Sequence, residues 1–127
     1  MKLIIGGAFQ GKRHYVLTNY GISQDSVWTG QLPQELGEGT IVIDQLHRWI
    51  FDTLEKGLEP EALLRTFLQT HPDCIFISDE VGCGIVPIEQ KERQYREKTG
   101  RLLTFLAGEA EEVVRVTCGI GQILKGN

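Results

Sequence analysis

Residues 6–12, Gly6-Gly7-Ala8-Phe9-Gln10-Gly11-Lys12, place two glycines and a lysine in a G-x-x-x-x-G-K pattern. Glycine lets backbone amides approach an anion closely, and lysine adds a positive charge. The spacing therefore suits the oxygens of a phosphate chain. On this reading Gly6, Gly7, Ala8, Phe9, Gln10, Gly11, Lys12 and Arg13 are candidate nucleotide-binding residues; a plain glycine-rich turn between a strand and a helix is the alternative. Phosphate loops of this form carry Ser or Thr after the lysine to hold Mg²⁺. Here that position is Arg13, whose guanidinium has donors only and cannot ligate a metal. Three readings stay open: other groups hold the metal, Arg13 contacts phosphate itself, or catalysis has been lost.

Carboxylates stand at the ends of two later apolar runs. Asp44 closes Thr40–Ile43, where a Mg²⁺-associated carboxylate would sit; a helix N-cap is the competing role. Asp79 and Glu80 follow Cys74-Ile75-Phe76-Ile77-Ser78 and open the turn Val81-Gly82-Cys83-Gly84-Ile85-Val86-Pro87. Gly82 and Gly84 permit close approach of a ligand to the backbone, which makes them candidate substrate or phosphate contacts. Glu80 is a candidate to orient a metal, a water or a substrate hydroxyl. Lys12, Asp44 and Glu80 form the candidate catalytic set, with ATP or GTP as substrate and Asp44 as the Mg²⁺ ligand. Downstream, Arg93, Arg96 and Arg101 have guanidinium forks suited to phosphate oxygens. Lys91 and Lys98, interleaved with glutamates, fit a solvated helix face with i, i+4 pairs. His14, His47 and His71 match no metal-ligand spacing and are expected at the surface. Trp49 and Tyr95 fall at helical spacing among apolar neighbours, in the core or an interface.

These residues need strands and helices to hold them. Leu3–Ile5 is a short apolar run ending in glycine, as a buried parallel strand would be. A helix is expected from near Lys12 to just before Gly21. Residues 21–39, rich in glycine, suggest an ordered loop or short irregular pieces. Thr40–Ile43 is a second strand, followed by a helix from near Leu46 to Gly57 and another starting at Pro60. Cys74–Ser78 is the third strand. A helix over 89–108, a strand over 113–118 and a short edge strand over 122–125 complete the chain. Strands alternating with helices imply an α/β fold with a parallel sheet flanked on both faces.

With 127 residues the chain is expected to form a single domain. Its net charge of −4 argues against a broad nucleic-acid-binding face. Cys74, Cys83 and Cys118 are odd in number and widely spaced, as reduced thiols rather than a disulfide or zinc framework. The apolar start breaks at Gln10-Gly11-Lys12-Arg13, too early for a secretory leader, and no run approaches the ~20 apolar residues of a membrane helix. A cytoplasmic location away from membranes is expected.

Taken together the motifs resemble the adenosylcobinamide kinase / adenosylcobinamide-phosphate guanylyltransferase family of cobalamin (vitamin B12) assembly. That family carries Asn-Glu-Val-Gly-x-Gly-Ile-Val-Pro; here the run is Asp79-Glu80-Val81-Gly82-Cys83-Gly84-Ile85-Val86-Pro87. Arg93-Gln94-Tyr95-Arg96-Glu97, Gly100-Arg101, Ala107 and Cys118-Gly119-Ile120 continue the match, and Asp44-Gln45-Leu46-His47-Arg48-Trp49 resembles its Asp-Cys-Leu-Thr-Leu-Trp. Gly6-Gly7-Ala8 and Gly11-Lys12 correspond to its Gly-Gly-Ala-Arg-Ser-Gly-Lys-Ser, with Gln10 and Arg13 in place of two serines. The resemblance implies a RecA-like P-loop fold with a short, mostly parallel sheet, a purine nucleotide and the corrinoid adenosylcobinamide as partners, and a homo-oligomer. It also implies a shortened segment between the first helix and the strand at 40–44. The family's guanylylated histidine belongs to that segment, so phosphoryl transfer from ATP or GTP is expected and guanylyl transfer is expected to be lost. The alternative is an inactive nucleotide- or corrinoid-binding regulatory or scaffold subunit. Leu103 and Thr104 replace an Asn-Gln pair, and Asp79 replaces Asn.

Overall fold

A computed structural model describes residues 1–33, 39–80 and 90–126. Among them run β1 (Lys2–Gly6), α1 (Lys12–Asn19), β2 (Val27–Thr29), β3 (Val42–Asp44), α2 (Leu46–Glu55), α3 (Pro60–Thr70), β4 (Ile75–Asp79), α4 (Gln90–Glu109), β5 (Glu112–Thr117) and β6 (Ile120–Lys125). The described strands form a six-stranded sheet in the order β2-β3-β4-β1-β5-β6, parallel except for β6, which returns antiparallel to β5. The α/β reading therefore holds, with β1 central between β4 and β5.

Two elements differ from the sequence expectation. The segment 21–39, expected to be irregular, contributes the edge strand β2 after a single 3-10 turn at Gln24–Ser26. Val27 and Trp28 are only partly covered, so the hydrophobic run that announces a buried strand is absent. The strand at Thr40–Ile43 is shorter and shifted, because only Val42–Asp44 pair with a neighbour along its length. The helix expected over 89–108 is present as α4, continuous through Gly100.

Each central strand is apolar on both faces because helices cover both. On one face Leu3, Ile43, Phe76 and Val113 pack beneath α2, α3 and α4 through Leu46, Ile50, Leu64, Phe67, Leu102 and Leu106. These helical residues recur at three- and four-residue steps, which places them on one stripe of each helix. On the opposite face Ile4, Val42, Ile77 and Val114 meet α1 through Val16, with Tyr15, Tyr20, Ile22 and Val27 around it. Trp49 and Tyr95 pack partly buried against the first cluster, as their spacing suggests.

The β5–β6 connection is a two-residue hairpin, with Thr117 paired to Ile120 and both Cys118 (φ 51°) and Gly119 (φ 76°) left-handed. A positive φ at both central positions is the primed turn that matches strand twist. Gly121, just beyond, has the Tyr15 ring against it: a Cβ there would stand 2.4 Å from Cε2. The first half of α1 thus rests on the hairpin.

Candidate functional site

Three adjacent strands deliver the chemistry to one edge. Gly6 at the end of β1 is in register with Asp79 at the end of β4, and β3 ends alongside at Asp44. This carboxyl edge is where open α/β sheets take ligands. A cleft of about 370 Å³ opens there, lined by residues 8–14 with Asp44, Gln45, His47 and Asp79.

Several forces shape residues 6–12. A Cβ on Gly6 would lie 2.4 Å from the Val116 carbonyl oxygen, so only glycine lets β1 pass into the loop here. Gly11 (φ 84°) sits left-handed at the start of α1 and faces the Cα of Gly119. Gln10 locks the loop to the hairpin. Its carbonyl accepts from the Gly119 N–H at 2.7 Å, and its side-chain oxygen accepts from the Cys118 N–H at 2.7 Å. Phe9 stands at the tip, left-handed (φ 60°) and fully exposed.

Lys12 is buried at 8 % exposure, and its ammonium group donates to the Gly7 carbonyl at 2.6 Å and to Asp79 Oδ1 at 2.7 Å. The lysine is thus fixed inside the loop's curve, with a carboxylate as counter-charge. Asp79 is shared: its backbone N–H donates to His47 Nδ1 at 3.1 Å, and its Oδ2 faces His47 Nε2 at 3.4 Å. An accepting Nδ1 places the imidazole proton on Nε2, facing the carboxylate. Burial, the largest influence, holds the His47 pKa below its ordinary value, which Asp79 partly opposes. His47 is therefore not the surface histidine its spacing suggested; it is a wall of the site, held also by Tyr95, whose hydroxyl donates to the His47 carbonyl at 3.0 Å.

Asp44 is also buried, at 8 % exposure, and burial raises its pKa against the opposing pull of the Gln45 N–H, Arg13 and Lys12. Its Oδ1 accepts from the Gln45 N–H at 2.8 Å, and Gln45 itself occupies the left-handed N-cap position of α2 without a capping side-chain bond. The N-cap role considered for Asp44 is therefore not the one it plays. Its second oxygen faces the Arg13 guanidinium at 3.8 Å.

The donor set does not match a P-loop magnesium site. The residue after the lysine brings a guanidinium to the carboxylate instead of a hydroxyl, and Asp79 is taken by Lys12. Among the described residues no group of three or more His, Cys, Asp or Glu side chains could hold a metal.

The remaining candidates are distributed differently. Glu80 stands at the end of β4, with its N–H donating to the Gly6 carbonyl at 2.9 Å. It is not among the residues lining the cleft; its carboxylate pairs with Arg115 on β5, at 2.9 Å from Nε and 2.8 Å from the terminal nitrogen. Arg115 escaped sequence reasoning because its partner lies 35 residues away on a neighbouring strand. Arg96 and Arg101 pair along α4 with Glu92 and Glu97, the i, i+4 arrangement assigned above to the lysines. Arg101 lines a separate groove with Glu59, Pro60 and Glu61, away from the phosphate loop. Arg93 is exposed on α4 and does not line the cleft. Lys91 reaches across to Glu55 of α2 at 2.9 Å rather than along its own helix. Gly82 and Gly84 lie outside the described residues.

A central strand, a glycine loop, a buried lysine and carboxylates at the ends of β4 and β3 make a P-loop-like edge, and the sequence comparisons give it a lineage. The family model for cobinamide kinase / cobinamide phosphate guanyltransferase (CobU) matches residues 19–124. The chain belongs to this family. The bifunctional adenosylcobalamin biosynthesis protein CobU of Salmonella typhimurium is 31% identical over 80 residues, 61% of this chain and 44% of that protein. Its Escherichia coli K12 namesake is 32% identical over 79 residues, with the same coverage. The bifunctional adenosylcobalamin biosynthesis protein CobP of Pseudomonas aeruginosa is 34% identical over 92 residues, 68% of this chain and 53% of the relative. The chain thus spans about half the length of the curated relatives it matches. The family match begins after residues 6–13, so the phosphate-loop assignment rests on the motif and the geometry. No described helix is long and apolar enough to cross a membrane.

Proposed function

We propose that the protein binds a purine nucleoside triphosphate in the cleft of residues 6–13 and acts in adenosylcobalamin assembly as an adenosylcobinamide kinase-like protein. The observation that carries this reading is the Lys12 ammonium group, buried in the curve of the loop at the end of the central strand. Backbone amides of the loop and Lys12 hold the terminal phosphates. The substrate hydroxyl of a corrinoid attacks the terminal phosphorus, forming a P–O bond as the bridging P–O bond to the next phosphate breaks. Glu80, at the end of β4 just outside the cleft and paired with Arg115, is the carboxylate that would accept the hydroxyl proton as the corrinoid docks.

The test is calorimetric titration of GTP and ATP in magnesium buffer, followed by transfer of labelled phosphate to adenosylcobinamide. Binding that falls by about two orders of magnitude in Lys12→Ala, the loss of a charged phosphate contact, supports the reading. Labelled corrinoid product then marks an active kinase.

A second reading, a nucleotide-binding subunit without turnover, is favoured by one observation: Arg13 faces Asp44 where a catalytic magnesium would be held. Tight binding with no labelled product decides for it. A homo-oligomer and a cytoplasmic location fit either reading.

A further inference from the structure

Beside Lys12 the cleft holds a second cation, Arg13, at the position where a phosphate loop carries its magnesium-binding hydroxyl. Arg13 Nη1 stands 3.8 Å from Asp44 Oδ2, an ion pair too long for a direct hydrogen bond, and its side chain is 44% exposed. The guanidinium therefore lies in the cleft with donors still available to an anion. Magnesium needs oxygen ligands at about 2.0–2.1 Å in octahedral array. The residue that would supply a hydroxyl is the arginine itself, and the nearby carboxylate already faces its charge. A magnesium ion carried in on a triphosphate would also approach this guanidinium as a like charge.

We infer that this cleft takes a nucleoside triphosphate free of metal, with Arg13 supplying the positive charge that magnesium supplies elsewhere. Lys12 and Arg13, consecutive at the start of α1, then hold the phosphate chain between them. Asp79 and Asp44 keep both cations in place when no ligand is bound. An arginine fork matches phosphate oxygens in pairs, and it brings the specificity of direction that a bound metal would otherwise give. This inference rests on the nucleotide reading of the cleft and adds to it which ionic form of the ligand is recognised.

The experiment titrates GTP and inorganic triphosphate into the wild-type chain, once with excess EDTA and once with excess magnesium. Wild-type affinity in EDTA should equal or exceed that in magnesium, within roughly threefold. Arg13→Ser should lose about tenfold or more in EDTA, the loss of a charge-assisted contact, and should bind more tightly when magnesium is added. Arg13→Lys should recover part of the EDTA affinity, since it restores the charge without the fork. Circular dichroism on each variant separates a lost contact from a lost fold. Wild-type binding that needs magnesium overturns the inference and leaves the nucleotide reading standing. Equal EDTA affinity of the wild type and Arg13→Ser also overturns it. No binding of either ligand in either buffer overturns the nucleotide reading, and the inference with it.

Discussion

The two faces of the sheet are covered in unlike ways. One is sealed by α2, α3 and α4, whose apolar stripes interlock with Leu3, Ile43, Phe76 and Val113. The other has α1, which buries only Lys12 and Val16. The helix that follows the phosphate loop is thus held by little apolar area, by two polar ties, Lys12 to Asp79 and Gln10 to the hairpin, and by the Tyr15 ring packed against Gly121. The thick face carries the stability. The thin face supplies the loop and the start of α1 to the site, and α2 of the thick face supplies His47 at the same carboxyl edge.

The largest effect should separate the faces directly. Phe76→Ala, fully buried under α3, should cost about 3–5 kcal/mol in denaturant unfolding. Val16→Ala, on the thin face, should cost about 2 kcal/mol and lower nucleotide affinity as well, since it loosens the seat of α1. Equal costs, with affinity untouched by Val16→Ala, would break the comparison.

Next in size, Gly121→Ala drives a methyl group into the Tyr15 ring and should cost about 1–3 kcal/mol, with Tyr15→Leu in the same chain restoring part of it. A double-mutant cycle measures the coupling between hairpin and helix. Additive costs would show that α1 does not rest on the hairpin.

A smaller effect concerns pH. The folded-state pKa of His47 lies below its unfolded value of 6.5, chiefly through burial. The folded state therefore binds fewer protons than the unfolded one in this range. Its stability contribution is complete above pH 6.5 and is lost as pH falls from there through the folded pKa. Thermal melts from pH 7.5 to 5 should show a decline in the wild type that is weaker in His47→Asn; parallel curves would remove His47 from the account. Asp44 works in the opposite sense: its raised pKa means that ionisation is disfavoured in the folded state, so its contribution diminishes as pH rises above 3.8.

The smallest change is at the loop tip. Phe9 exposes its whole ring from a left-handed backbone, which costs an L-residue roughly 1 kcal/mol. Phe9→Gly should leave stability unchanged or raise it by up to about 1 kcal/mol, after glycine's own entropy is counted. A measured loss would mean that the ring has a packing partner.

Much of this was legible beforehand. The strands at 2–6, 75–79 and 112–117 are short apolar runs bounded by glycine or charge, and buried parallel strands leave that trace. β2 was not legible: it is three residues long, half-exposed and paired on one side, so no periodicity marks it. The candidate nucleotide residues 8–13 and Asp44 do line one cleft, because strand ends with glycine loops signal such edges. His47 and Arg115 were missed for a common reason. Their partners, Asp79 and Glu80, lie 32 and 35 residues away, and only strand order brings them together.

Composition and pattern alone determined that this chain makes an α/β sheet, that its first strand runs into a glycine-lysine loop, and that an arginine stands where a magnesium ligand belongs. Those are local matters, settled by side-chain size, charge and the allowed backbone. The sequence could not decide which charges face each other. That Asp79 holds Lys12, that Asp44 meets Arg13, and that a neutral histidine is wedged beside them follow from β1 lying between β4 and β5, with β3 one strand further on. Side-chain pairing acts over a few ångströms, and only the folded sheet brings residues so distant in the chain within that range.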